Sequence, residues 1–298
     1  MRLVYLGSPD AAVAPLRALI DAGHEIVLVV SQPDRRRGRG AVLMPSPVKA
    51  SALALGLRVS DRLDDAFEAA RAGAELGIVV AFGKLISPGL LEAMPFLNIH
   101  FSLLPRWRGA APVERALLAG DSETGVCLMG LDIGLDTGPV YRRAVTSISS
   151  TESVATLRDR LVSIGTALLV DSLNGGFVTL GVPEAQVGEP TYAAKLDPAE
   201  FAIDWIRPAE EIARLVRLGV AWTTFRGKRL KILEAAVSTD VVEGDAERLG
   251  TMNGTAVRTG LGTLQLLRVQ PESKGPMTAV EWRNGAQLQP GERLGGDA

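Results

Sequence analysis

Asn98 and His100 stand two residues apart in Leu97-Asn98-Ile99-His100, where apolar and polar residues alternate. In an extended strand alternate side chains share a face, so the two polar groups point the same way. Ser102-Leu103-Leu104-Pro105 then breaks the strand and leaves the pair at its carboxyl end, the end outside which open α/β sheets bind ligands. Asp136 sits in Leu131-Asp132-Ile133-Gly134-Leu135-Asp136-Thr137-Gly138, a glycine-bounded loop between two strand-like runs. Taken singly, these are ordinary features: two satisfied polar groups at a strand end, and a turn-forming Asp. Brought together, they could stabilise an oxygen anion and move a proton. Asn98 can donate through its amide and His100 can donate when protonated. Asp136 can hold the imidazole or accept a proton itself. His24 and His100 are the only histidines, so histidine chemistry has two candidates.

A scaffold must bring these groups together. Leu3 to Leu6 reads as a short buried strand ended by Gly7-Ser8-Pro9-Asp10, with Ser8 as helix cap and Pro9 as first helical residue. Val13, Leu16, Leu19 and Ile20 follow at helical spacing, and Glu25 to Val30 is a second apolar strand. This β-α-β unit predicts a parallel sheet with a right-handed crossover. A helix over about 47–55, strands over 77–81, 97–100, 126–131 and 138–145, and a long helix over 154–173 extend the pattern. The expected fold is therefore α/β, with a Rossmann-like, mostly parallel sheet over 1–182. Glycine and proline then interrupt the chain repeatedly, which marks 183–205 as a linker. Over 206–298 a helix at 209–218 and short strands at 222–225, 229–235, 254–258 and 262–269 suggest a small β-barrel of OB-like type. The end, 290–296, reads as a turn and a frayed terminus.

A length of 298 residues suits two domains, and 47% hydrophobic with 22% charged residues is the balance of a soluble globular protein. The opening segment runs straight into a strand without a signal-peptide pattern, and no apolar run is long enough to span a bilayer. The single Cys127 excludes an internal disulfide and a cysteine-cluster metal site, and all of this suits the cytoplasm. No His-x-x-x-His or dense carboxylate set asks for a metal. Neither Gly7-Ser8-Pro9 nor Gly260-Leu261-Gly262 carries the Gly-x-Gly-x-x-Gly pattern of a nicotinamide enzyme. The net charge of −2 announces no polyanionic partner, but Arg35, Arg36, Arg37 and Arg39 crowd one short segment. Mutual repulsion would keep that segment a solvated loop, either a plain surface patch or an anion-binding one.

The run Asn98-Ile99-His100-Phe101-Ser102-Leu103-Leu104-Pro105-Arg106-Trp107-Arg108-Gly109-Ala110-Ala111-Pro112, followed by Leu131-Asp132-Ile133-Gly134-Leu135-Asp136-Thr137-Gly138, resembles the methionyl-tRNA formyltransferase family. Gln32-Pro33-Asp34-Arg35, Met44-Pro45-Ser46-Pro47-Val48-Lys49, Val80-Ala81-Phe82-Gly83, Trp222-Thr223-Thr224-Phe225-Arg226-Gly227 and Lys274-Gly275-Pro276-Met277 carry the resemblance over nearly the whole chain. It implies transfer of a formyl group from 10-formyltetrahydrofolate to the amino group of initiator methionyl-tRNA, with no metal. It also implies that Asn98, His100 and Asp136 are the reaction centre. An amine attacking a formamide-like carbonyl puts negative charge on oxygen, and preorganised donors aimed there lower the barrier. Asp136 is favoured as the proton-handling group and His100 as the electrophilic stabiliser, though the residues alone leave open which of the two moves the proton.

By the same resemblance the folate lies beside Val80, Ala81, Phe82 and Gly83, with Ser102, Leu103, Leu104 and Pro105 shaping the wall. The segment from Arg35 to Pro47 would be an inserted loop that reaches the acceptor end of the tRNA. Arg35, Arg36, Arg37, Arg39 and Lys49 are its candidate contacts, guanidinium groups suiting phosphates and unpaired bases. In the second domain Arg226 and Lys228, two apart on a possible ribbon, are either an RNA-facing stripe or a solvated hairpin. A monomer is expected. Two departures stand out: Phe101 replaces a common glycine, and Val216 to Ala221 shortens a turn that is usually longer and richer in proline. Phe101 should point away from Asn98 and His100. A formyltransferase for a small amine, such as an amino sugar, would keep the same reaction centre without needing the arginine loop. A non-catalytic RNA-binding module would need none of the three polar residues.

Overall fold

The computed structural model describes residues 1–37, 42–239, 249–289 and 291–296, Arg37 by its backbone alone. Two compact units emerge. The first comprises Met1–Ala116, Ser122–Ile148 and Leu157–Lys195, and the second Leu117–Asp121, Ser149–Thr156 and Leu196–Ala298.

The first unit runs β1 (Arg2–Gly7), α1 (Val13–Asp21), β2 (Glu25–Val30), β3 (Arg35–Arg37), β4 (Val42–Met44), α2 (Pro47–Ala54), β5 (Val59–Ser60), α3 (Asp64–Arg71), β6 (Leu76–Val80), α4 (Pro88–Ala93) and β7 (Phe96–His100). It continues through β8 (Arg108–Gly109), α5 (Pro112–Ala119), β9 (Glu123–Gly130), β10 (Val140–Ser147), α6 (Val154–Leu173) and β11 (Tyr192–Ala193). Seven strands form the main sheet in the order β10-β9-β7-β6-β1-β2-β5. The pairs from β7 to β5 are parallel, and β9 and β10 add an antiparallel edge. Every residue of β6 and β7 is buried, as expected of central parallel strands covered on both faces. One cluster of the core joins Val4, Leu6, Leu28, Val30 and Val79 to Ala66, Leu90 and Phe96. Phe96 lies so close to its β6 partner Gly77 that a Cβ there would stand 2.1 Å from two ring carbons.

Some local expectations fail for identifiable reasons. Ser8 does not cap α1. A 3₁₀ turn at Asp10–Ala12 precedes that helix, and the Ser8 hydroxyl accepts instead from the Gln32 backbone N–H at 3.1 Å. The crowded arginines do not stay an irregular loop. Arg35–Arg37 pairs antiparallel with Val42–Met44 in a separate two-stranded ribbon, because β-branched and long apolar residues of the second strand accept extended geometry. Arg39 lies outside the described residues, as does the side chain of Arg37. Within the span read as linker, Glu184 bridges Val140 and β11 pairs parallel with β8, both inside the first unit.

The second unit contains α7 (Ala209–Val216), β12 (Trp222–Phe225), β13 (Lys228–Ser238), β14 (Met252–Asn253), β15 (Ala256–Arg258), β16 (Thr263–Pro271), β17 (Met277–Thr278) and α8 (Ala279–Ala286). Its antiparallel sheet has the order β12-β13-β16-β15-β14, with β17 paired to β16. Ile212, Leu230, Ile232, Leu264, Leu266, Trp205 and Trp282 build one core. Residues 291–296 do not fray. Met252 donates to the Glu292 carbonyl, Thr251 bridges Arg293, Leu294 donates to the Gly250 carbonyl and Gly295 donates to the Thr224 carbonyl. The tail thus spans from the β14 side of the sheet to β12 and closes it. Leu294 is 1% exposed. The shortened turn after α7 is tied down as well, since Arg217 donates to the carbonyls of Glu152 and Ser149 at 2.7 Å each.

Candidate active site

Asn98 and His100 occupy the carboxyl end of β7, 8% and 5% exposed. Strand alternation turns both side chains toward one cavity of about 590 Å³ and turns the Ile99 side chain toward α6. Ile99 and the Phe101 ring lie toward Gly165 of α6, as the alternation requires for Phe101. Ala81, Phe82 and Gly83, in the loop after β6, form a second wall of the cavity. Leu131 to Asp136, after β9, form a third, and Gly109, Ala110 and Pro112 complete the circuit. Around the mouth, Leu85, Ile133 and Leu135 leave 70%, 71% and 51% of their surface exposed. A flat conjugated ligand could lay its faces against that apolar rim, while the buried polar groups sit below.

The imidazole is fixed at one end. His100 Nε2 lies 2.9 Å from the Trp107 carbonyl oxygen. A carbonyl only accepts, so Nε2 carries a proton and donates it there, and Nδ1 is the atom free to gain or lose one. Nδ1 faces Asp136 Oδ2 at 3.7 Å, both side chains nearly buried. The same carboxylate oxygen accepts from the Gly109 backbone N–H at 2.8 Å. Trp107 and Asp136 both adopt left-handed backbone, φ +63° and +51°, a conformation Asp tolerates better than most residues. Ser102 donates to the Arg106 carbonyl at 2.6 Å, and the Trp107 N–H donates to Thr191 Oγ1 at 2.9 Å. These bonds hold the turn whose carbonyl orients His100. Asn98 has no side-chain hydrogen bond to any described residue, and it lines the cavity.

The remaining expected contacts divide. Ala81, Phe82 and Gly83 line the cavity, whereas Val80 is wholly buried in the core. Ser102, Leu103, Leu104 and Pro105 do not line it. Leu104 packs on Cys127, Met129 and Val140 behind the wall, because the chain turns back after β7 to bring Trp107 to His100. Lys49 Nζ forms an ion pair with Asp34 at 2.7 Å. Arg35 and Arg36 stand exposed on the ribbon beside Val42, Leu43 and Met44, which are 62%, 64% and 47% exposed. Arg226 and Lys228 do not share a strand face. Arg226 and Gly227 form the two-residue turn between β12 and β13, both at positive φ, as strand twist favours in tight hairpins. The Arg226 guanidinium is engaged with both Glu292 carboxylate oxygens at 2.6 and 2.9 Å. Lys228 is exposed.

Two glutamines outside the expected site residues, Gln32 and Gln186, brace it. Gln32 donates to the Phe82 carbonyl at 3.0 Å and so ties the second wall to the end of β2. Gln186 belongs to a stretch that looks like linker and carries no periodicity. The apolar Ile133 and Leu135 in an otherwise turn-like loop were the available signal for the rim. Among the described residues no helix is long and apolar enough to cross a membrane, and no group of three or more His, Cys, Asp or Glu is placed to hold a metal ion.

Comparison with known proteins identifies the family. Residues 1–173 match the family model described as formyl transferase, and residues 195–287 match that of the formyl transferase C-terminal domain. A methionyl-tRNA formyltransferase of Jannaschia sp. is 43% identical over 99% of this chain and 100% of its own length. One of Roseobacter denitrificans is 44% identical over 98% of each. An N-formyltransferase structure from Helicobacter canadensis, in complex with folinic acid and dTDP-3-aminofucose, superposes with TM-score 0.66 over 89% of this chain and 98% of its own, at 16% identity. HypX from Aquifex aeolicus in complex with tetrahydrofolic acid gives 0.63 over 98% of this chain and 48% of its own, at 15% identity. These two share the fold. On the full-length matches at over 40% identity, with both formyl transferase domains in order, the chain belongs to the methionyl-tRNA formyltransferase family.

Proposed function

We propose that this chain transfers the formyl group of 10-formyltetrahydrofolate to the free amino group of methionyl-initiator tRNA, for the initiation of translation. The observation that carries the reading is the Asn98 carboxamide, without a protein partner among the described residues, on the wall of the same cavity as His100 and Asp136. An amide that faces a cavity and not a protein partner is free to donate to a ligand oxygen. The folate, when bound, supplies the formyl carbon and a leaving nitrogen. Asn98 donates to the formyl oxygen as charge builds there, and protonated His100 Nδ1 adds a second donor. Asp136 takes the proton that the attacking amine must lose and returns it toward the departing folate nitrogen. A bond from the amino nitrogen to the formyl carbon forms as the bond to the folate nitrogen breaks. The Trp107 carbonyl keeps the imidazole from turning, so Nδ1 stays on the cavity side throughout.

The acceptor is the finer part of the proposal. Support comes from the similarity to the named relatives over the whole chain and from the arginine-bearing ribbon, a structure that a small-amine enzyme does not need. We assign residues 1–182 to the folate and reaction site and 206–298 to tRNA binding, with Arg35, Arg36, Arg37 and Arg39 as the contacts nearest the acceptor end. Lys49 and Arg226 contribute less, each already holding a carboxylate. The protein would act as a cytoplasmic monomer, where charged initiator tRNA is made. A formylation assay with 10-formyltetrahydrofolate decides the acceptor. Charged initiator methionyl-tRNA should be formylated rapidly and a dTDP-linked amino sugar not at all, and the reverse preference would overturn the assignment. In the same assay His100→Ala should lose about 10²–10³ in rate, and a near-normal rate would remove His100 from the reaction centre.

A further inference from the structure

Gln186 lies within the stretch that sequence reads as a connector, and its carboxamide makes four hydrogen bonds inside the first unit. Its Oε1 accepts from Arg108 Nε at 3.0 Å and Nη2 at 2.7 Å. Its Nε2 donates to the carbonyl oxygens of Asp136 and Gly138, each at 2.8 Å. The orientation of this amide is unambiguous, because a guanidinium only donates and a carbonyl only accepts. Asp136 needs such a hold. It is not glycine, yet it sits at φ +51° in an otherwise exposed loop from Asp132 to Leu135. Its carboxylate must still point at His100 Nδ1. Arg108, at the other end of the clamp, directly precedes Gly109, whose N–H fixes the Asp136 carboxylate at 2.8 Å. One side chain therefore holds the backbone of Asp136 and steadies the strand that donates to its side chain.

We infer that Gln186, gripping Arg108 with its oxygen and the Asp136 loop with its nitrogen, is a positioning residue that sets the Asp136 carboxylate for proton transfer. The inference rests on the role given to Asp136 above. A carboxylate displaced by about 1 Å can lose about 10²-fold in rate, whereas none of the four hydrogen bonds of Gln186 reaches the cavity wall at Ala81 to Gly83.

Two substitutions separate the grips. Gln186→Glu keeps the acceptor for Arg108 but sets a second oxygen against the two carbonyls. Gln186→Ala removes all four bonds. Both are expected to lower kcat about 10–100-fold, with KM for charged tRNA and affinity for tetrahydrofolate within about threefold, an order-of-magnitude allowance. Retained tetrahydrofolate binding also shows that the variants fold. The decisive comparison is a double-mutant cycle with Asp136→Asn. If Gln186 acts through Asp136, Gln186→Ala costs almost nothing further once Asp136 is already Asn. An equal loss in both backgrounds, full activity of Gln186→Glu, or full activity of Gln186→Ala would each overturn the inference. Asp136→Asn alone tests the underlying role. If it keeps the wild-type rate, the proton assignment fails, whatever Gln186 does.

Discussion

Asn98→Asp exchanges a donor for an acceptor of nearly the same size in the cavity wall. If the carboxamide serves the formyl oxygen, the new negative charge repels the charge that develops there. The substitution should then lower kcat at least as far as Asn98→Ala, about 10²–10³-fold for loss of one such donor. KM for the folate and for charged tRNA should move little, since the donor acts mainly as charge builds. Steady-state kinetics on both variants check this, and an Asn98→Asp enzyme faster than Asn98→Ala would exclude the donor role. The His100 geometry adds detail that residue types cannot. The spacing of Asn98 and His100 predicts a shared face, but nothing in it tells which ring nitrogen is held. The answer depends on the Trp107 carbonyl, placed by a turn whose residues are joined to Thr191, 84 positions away.

Elements with a strong period were legible. The helix Val154–Leu173 and the strand Trp222–Phe225 fall where the pattern puts them, and β1, β2 and β7 follow from apolar runs bounded by turn residues. What stayed hidden were pairings between short pieces distant in sequence. The β8–β11 ladder has two residues on each side, too few for any pattern, yet it carries the support for Trp107 and Gly109. The tail is another case. Glycine and charge near 290–296 read as fraying, while one apolar residue, Leu294, is enough to seat the segment in the core of the second unit. Leu294→Ala should cost about 2–4 kcal/mol, within the range for emptying a buried leucine site. That would lower the melting temperature of the second unit measurably, and an unchanged melt would show the tail to be dispensable. Arg226 holds the Glu292 carboxyl below its ordinary value, chiefly by their hydrogen bonds. The tie is therefore complete above the ordinary carboxylate value and is lost as pH falls through the lowered one. Acid unfolding curves of wild type and Arg226→Ala should converge at low pH and separate near neutrality. Parallel curves would exclude the pair as a contributor.

For the molecule as a whole, the net charge of −2 gives no attraction to a polyanion, so binding of tRNA has to rely on local groups. Each phosphate contact releases counterions, and a single-strand contact adds about 0.7 to the slope of log affinity against log salt. Arg35→Ala should lower the slope for charged tRNA by about that amount and weaken binding to other RNAs as well. A slope that does not change would take Arg35 out of the interface. The ribbon that carries Arg35 also has a second strand, Val42, Leu43 and Met44, almost fully apolar and open to water. Such a strand is what neighbouring molecules recruit when proteins aggregate by edge pairing, and flanking charge is the usual defence. The arginines on the opposite strand are therefore expected to limit self-association as well. Removing several of them at once would favour self-association at the concentrations used for binding work, so light scattering belongs beside every affinity measured on those variants.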